Sequence, residues 1–170
     1  MDSYRYVEFA TEVRDDAPVG ISGTVLRYGD VATIGQFSEE FRPGSIRQPN
    51  DVIANLMHDR AKPVARTGSG LELHDDGAEL RALITVPSTT YGREAEELVK
   101  HRILRGFSVE FRSHRDRWEG NHRIIEDASI TGIGIVDRPA YAASEIAVRM
   151  KNLRGARVTR PPVAYRRVWV

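Results

Sequence analysis

The feature that most constrains the fold is a series of short β-type runs, each bounded by glycine, proline or aspartate. Such runs at close spacing are typical of strands rather than of a helical bundle. Asp75-Asp76-Gly77 predicts a hairpin turn because glycine adopts positive φ cheaply. A second hairpin turn is predicted around Gly120. The best runs cover residues 21–30, 71–87, 105–118 and 123–136.

Two segments have helical character. The clearer one covers about 89–103, where Thr89 or Thr90 can cap the N-terminus and apolar residues recur at helical spacing. The other covers about 50–58, but it is short, and periodicity leaves a strand open for its second half. The predicted class is therefore α+β and mainly β.

Composition and charge narrow the classes of function. There are 25 Lys and Arg residues against 24 Asp and Glu, a net charge of +1, so neither a nucleic acid nor a membrane is expected as partner. The absence of cysteine excludes disulfides, thiolate zinc sites and a cysteine nucleophile. The histidines form no tight ligand pair, so we expect no metal and no cofactor.

The chain is expected to form one domain with short extensions. Its 170 residues suit one core. We predict an N-terminal segment at 1–17, the domain at 18–149 and a basic tail at 150–170. The tail is rich in arginine and is interpreted either as a disordered terminus or as a docking segment that orders on a partner. No apolar run is long enough for a membrane helix or a signal peptide.

Two residues could carry nucleophilic chemistry. Ser108 alternates with Phe107 and Val109, so on a strand its hydroxyl lies on the face opposite to theirs. His58 follows an apolar run, and an imidazole can take a proton from serine near neutral pH. Each residue also has a structural interpretation, as a strand serine and as a histidine at a helix end.

The order of five segments resembles the prohead maturation proteases of tailed bacteriophages, which are distantly related to the herpesvirus maturation proteases. The resemblance covers about residues 18–149 and implies a serine endopeptidase with a β-barrel and surrounding helices. It implies Ser108 as nucleophile and His58 as general base. The segments are EFRPGS, NLMHDRAKPVART, LELHDDGAELRALITVP, RGFSVEF and GIGIVDRPAYAASEIAVR.

The same resemblance implies a place of action and partners. Such proteases work inside the procapsid, in the host cytoplasm, and cut scaffold protein, capsid protein and themselves during virion assembly. Capsid and scaffold proteins are therefore the expected partners. A homo-oligomer is possible, and the sequence does not decide this.

The third catalytic position is where the chain departs from the family. Members often carry glutamate in a segment resembling leucine-x-Glu-Val-Ser-Leu-Val-x-x-Pro-Ala, and alignment on Val136 and Pro139 puts Gly132 at that position. If the hairpin turns symmetrically about Gly120, Gly132 is also predicted to face Ser108 directly across the strands.

Several groups could orient His58 in place of that acid. Glu126 and Asp137 are the preferred candidates, Glu110 and Asp59 are alternatives, and a Ser-His dyad without an acid is another. Glu110 ranks lower because it could lie too close to the substrate.

Arg138 matches the arginine that follows the third triad member in the herpesvirus proteases, which implies a role at the oxyanion. It could equally be a surface arginine at a turn.

The missing acid also supports a rival prediction, a non-catalytic capsid-assembly or scaffold protein that retains the protease fold. A third reading is an unrelated β-barrel binding module, in which Ser108 and His58 would lie far apart.

Overall fold

A mixed β-sheet with one flanking helix makes up the part of the chain that the computed structural model describes, residues 3–7, 20–138 and 147–149. This agrees with the predicted mainly β class. The elements in chain order are β1 (Ser3–Val7), β2 (Gly20–Arg27), β3 (Ala32–Ile34), β4 (Phe37–Phe41), β5 (Ile53–Leu56), β6 (Asp59–Thr67), β7 (Gly70–Asp75), β8 (Glu79–Thr85), α1 (Thr90–Lys100), β9 (Gly106–Glu119), β10 (His122–Val136) and β11 (Ala147–Arg149).

The order of strands places β10 at a junction. The hydrogen-bonded path runs β1-β9-β10-β5-β6-β7-β8-β2-β11, while β4 pairs with β10, and β3 with β4. β10 is antiparallel to β9 and parallel to both β4 and β5. The path over the described strands is open, so this topology establishes the mainly β class but not a closed barrel.

Both predicted hairpin turns are confirmed. β7 and β8 form an antiparallel pair around Gly77, whose φ is +84°. The carboxylate of Asp76 accepts hydrogen bonds from the backbone amides of Ala78 and Glu79 in this turn. β9 and β10 meet at Gly120, whose φ is +61°.

One of the two predicted helices forms. Helix α1 begins after Thr89, whose side chain accepts a hydrogen bond from the amide of Gly92. The predicted helix at about 50–58 is wrong, because this segment forms β5 (Ile53–Leu56), which pairs with β10 on one side and β6 on the other. Its short apolar run fits a buried strand as well as a helix, and the pairing decides between them.

The core occupies one face of β9 and β10. Phe107, Val109 and Ile133 are fully buried in it. Alternation along β9 therefore places Ser108 and Glu110 on the opposite face, as the sequence predicts.

Most of the predicted N-terminal segment and the whole basic tail lie outside the described residues. Among the described helical residues, none forms a span long and apolar enough to cross a membrane.

Candidate active site

The pairing of β9 with β10 sets the positions of the candidate residues. Ser108 faces Gly134, and Glu110 faces Gly132. The prediction that Gly132 faces Ser108 is therefore wrong. Irregularities in the ladder, the last between Ile130 and Gly132, shift β10 relative to a symmetric hairpin.

A two-residue turn between β5 and β6 carries His58. Leu56 pairs with Asp59, and the two residues between them have positive φ, 52° at Met57 and 60° at His58. Positive φ at both central residues is the pattern of a type I′ hairpin turn. The amide of Met57 donates to the carbonyl of Ile135 at 3.0 Å, which fixes the turn beside β10.

The imidazole of His58 lies flat against Gly134. A Cβ at Gly134 would stand 2.8 Å from Nε2 and 2.9 Å from Nδ1 of His58, so only glycine leaves room for the ring. Because directly facing residues have Cβ atoms about 5 Å apart, the ring occupies the position next to Ser108 on the same face of the sheet. The turn and the glycine together bring His58 and Ser108 to one place.

Glu110 contacts the other nitrogen of the ring. Its Oε1 lies 2.9 Å from Nδ1 of His58, and its Oε2 accepts a hydrogen bond from Arg60 at 3.1 Å. The Glu110 side chain is only 7% exposed and that of His58 13%. A buried carboxylate with two charge-assisted contacts has a fixed orientation.

Gly132 makes room for that carboxylate. A Cβ at Gly132 would stand 2.8 Å from Oε2 of Glu110. The sequence resemblance aligns Gly132 with a glutamate. In this structure Gly132 faces Glu110 directly across the ladder, so an acid lies opposite that position.

Burial lowers the pKa of His58 below its ordinary value near 6.5, while the hydrogen bond and the charge of Glu110 oppose that shift. The neutral imidazole is thus favoured near neutral pH, and a neutral imidazole is the form that can accept a proton from serine.

Ser108 is fully buried, and its hydroxyl has no hydrogen-bond partner within the described part of the chain. Buried hydroxyls are normally paired, so an unpaired one calls for an explanation, of which a catalytic role is one. Catalytic hydrogen bonds are often long in the absence of substrate.

Glu126 lies far along β10 from this cluster. Its carboxylate contacts Arg115, Arg117 and Arg42. Glu126 lies eight positions before Gly134, which corresponds to about 26 Å along a strand. The structure does not bring Glu126 to His58.

Three further candidates lie at strand ends: Asp137 and Arg138 just after β10, and Asp59 at the start of β6. Asp137 follows β10 and its carboxylate lies 3.9 Å from Arg138, whose side chain is 88% exposed. Asp59 adjoins His58 in the chain, but its carboxylate accepts from the amide of Ala61 and approaches Lys62. The acid beside His58 is Glu110.

No group of three or more potential metal ligands is found within the described residues. A family model described as caudovirus prohead serine protease matches residues 7–157 of the chain.

The chain belongs to the caudovirus prohead serine protease family. This confirms the resemblance drawn from the five segments. The matched range includes His58, Ser108 and Glu110. No curated protein and no solved structure matches the chain.

The sequence predicts the face of the strand on which Glu110 lies, but it favours Glu126 and Asp137 over Glu110 as the partner of His58. The pair of glycines at 132 and 134 could have pointed to Glu110. Two missing side chains on one face of a strand indicate that side chains from neighbouring strands fill the space.

Proposed function

We propose that this prohead protease family member is a serine endopeptidase with Ser108 as nucleophile, His58 as general base and Glu110 as the acid that orients it. The observation that supports this best is that the imidazole of His58 lies beside Ser108 and is hydrogen-bonded to Glu110 through Nδ1. Glu110 thus replaces Glu126 and Asp137 as our candidate for the third position.

The arrangement suits acyl transfer. With Nδ1–H donating to Glu110, Nε2 carries the lone pair that removes the proton of Ser108 as its oxygen attacks the scissile carbonyl. The protonated ring then gives that proton to the leaving amine, and Glu110 stabilises the imidazolium that forms in between.

The oxyanion needs donors aimed at the tetrahedral intermediate. We propose Arg138 for this role, in competition with backbone amides near Ser108. Its side chain is 88% exposed and its ion pair within the described residues is with the half-exposed Asp137, while β10 ends two residues earlier at Val136, opposite Gly106 at the start of β9.

We propose that the substrates are capsid and scaffold proteins of a tailed bacteriophage, cut inside the procapsid in the host cytoplasm, as the family description implies. We further propose that the sheet curls towards a barrel, since β1 approaches β2 and β2 approaches β9.

The burial of Ser108 favours a second candidate function. A nucleophile that substrate cannot reach fits a capsid-assembly protein that retains the fold without turnover. A fluorophosphonate probe separates the two, because it labels only an activated and accessible serine.

The test compares two serines that each have a histidine nearby. Ser129 lies 2.7 Å from Nε2 of His114 in an exposed pair and serves as the control. We expect Ser108→Ala to abolish both probe labelling and cleavage of a co-expressed capsid or scaffold protein, and Ser129→Ala to leave both intact. Undiminished cleavage by Ser108→Ala would refute the assignment.

A further inference from the structure

An open groove with a volume of about 790 Å³ lies between β6, β7, β8 and the N-terminal end of α1. Its lining is mostly apolar and includes Ile53, Pro63, Val64, Pro87 and Tyr91. None of these residues has a part in the proposed catalytic cluster.

The groove continues the face of the sheet that carries the catalytic cluster. Residues that pair across neighbouring strands point to the same face. One such row starts at Glu110 and runs into the groove, whose lining includes its last four members. The first five members pair in turn, and Thr85 adjoins Gly70 one residue beyond the Leu71–Ile84 pair; the row is Glu110, Gly132, Ile53, Arg66, Gly70 and Thr85.

Strand spacing gives the distance from the nucleophile. Ser108 faces Gly134, Gly134 faces Asn55, and Asn55 faces Pro63 in the groove. Three spacings of about 4.8 Å put Pro63 about 14 Å from Ser108. An extended peptide covers this distance with roughly four residues.

The position of His58 tells which half of a substrate reaches the groove. The ring lies over β10, between Ser108 and the groove. Since the general base protonates the leaving amine, the leaving half of the peptide extends past His58 in that direction.

The groove is suited to an uncharged side chain. Arg66, the charged residue in its lining, is held by both carboxylate oxygens of Asp51, at 2.7 and 2.8 Å. At Gly70 a Cβ would stand 3.0 Å from the carbonyl oxygen of Thr85, so the lack of a side chain at Gly70 keeps this part of the groove open. A charge buried there would lose water without gaining a partner.

We propose that this groove is a substrate subsite that binds an apolar side chain three or four residues after the scissile bond. The proposal rests on the proposed endopeptidase function and adds a determinant of its specificity.

The experiment fills the groove and measures sequence preference. Thr85→Trp places a large ring in the groove, and Thr33→Trp, at the exposed residue of β3, is the matched control. Each variant digests unfolded casein, and mass spectrometry maps the cleavage sites. A p-nitrophenyl ester, too short to reach the groove, measures turnover at Ser108 alone.

We expect the wild type and Thr33→Trp to favour leucine, isoleucine or phenylalanine at the third or fourth position after the cut. In Thr85→Trp this preference should disappear, with kcat/KM for a leucine-containing peptide at least about tenfold lower and ester hydrolysis within about twofold of wild type. Should Thr85→Trp fail to fold, Tyr91→Ala widens the groove and should shift the preference towards phenylalanine and tryptophan.

The outcomes separate the two proposals. Ester hydrolysis by the wild type without an apolar preference, or a preference that survives in the groove variants, overturns the subsite alone. A wild type that neither hydrolyses the ester nor reacts with a fluorophosphonate overturns the endopeptidase function, and the subsite with it.

Discussion

At the scale of single residues, Glu110 orients His58 and opposes the lowering of its pKa by burial. Its carboxylate fixes Nδ1 as the donor, and its negative charge raises the pKa of His58 against the effect of burial. A substitution that removes the charge of Glu110 but keeps the shape of its side chain separates these two roles from its role in packing.

Glu110→Gln should lower kcat by about 10²–10⁴, because an amide can hold the ring in the wrong tautomer and cannot stabilise the imidazolium. It should also move the acidic limb of the pH–activity profile to lower pH, since the charge that raises the pKa of His58 is lost. Kinetics on a peptide substrate from pH 4 to 8 measure both. A wild-type profile in the variant would show that Glu110 plays no part in catalysis.

Met57 stores backbone strain beside the candidate active site. Its φ of 52° is unfavourable for an unbranched apolar residue, and its side chain is 51% exposed, so little packing offsets the strain. Such strain is frequent at functional sites, where it fixes a neighbouring group.

Met57→Asn should stabilise the protein by about 0.5–1 kcal/mol, because asparagine tolerates positive φ better than methionine. Urea unfolding measures the change in the free energy of unfolding. A loss of stability would mean that contacts of the thioether outweigh the strain.

At the scale of elements, β10 shapes the candidate site through two positions that have no side chain. Gly132 and Gly134 leave two gaps on one face of the strand, and Glu110 and His58 occupy them. A methyl group is enough to close either gap, because a Cβ would stand 2.8 Å from Glu110 at Gly132 and 2.7 Å from His58 at Gly134, closer than Cβ atoms pack in folded proteins.

Gly134→Ala should displace the ring of His58 and lower kcat by at least about a hundredfold, since small misplacements of a catalytic group are costly. The control is Gly35→Ala, where the added methyl meets open space but φ is +58°, so it tests strain without displacing the site. We expect the control to lose about 1 kcal/mol of stability and no activity. Equal activity in the two variants would contradict the role of the gap.

Elements with local signals could be predicted from the sequence, and elements set by pairing could not. Asp76 and Gly77 marked a turn and Thr89 a helix start because those residues act on their own backbone. Strand β5 could not be distinguished from a helix because its evidence is the strands beside it. Glu110 could not be matched to His58 because the irregularities of β10 and the turn at His58 arise only in the folded sheet.

At the scale of the whole molecule, pH couples the site to stability. Burial lowers the pKa of His58, so the folded protein binds fewer protons than the unfolded chain between that lowered pKa and about 6.5. The contribution of His58 to the free energy of unfolding is therefore fully present above pH 6.5. It is lost as the pH falls towards the pKa of His58 in the folded protein. Hydrogen bonds from Arg123 and Arg47 lower the pKa values of Asp116 and Asp127. These two carboxylates therefore change the stability of the protein only below about pH 4.

His58→Asn isolates this contribution, because asparagine does not titrate and accepts positive φ. We expect the difference in free energy of unfolding between wild type and His58→Asn to be constant above pH 6.5 and to turn against the wild type as pH falls to 5. Urea unfolding at each pH measures it, and the other histidines cancel in the difference. In the same range wild-type activity should rise with pH to a midpoint below 6.5, because catalysis needs the neutral ring. A midpoint above 6.5, or a stability difference independent of pH, would show that His58 is not the buried base that the geometry implies.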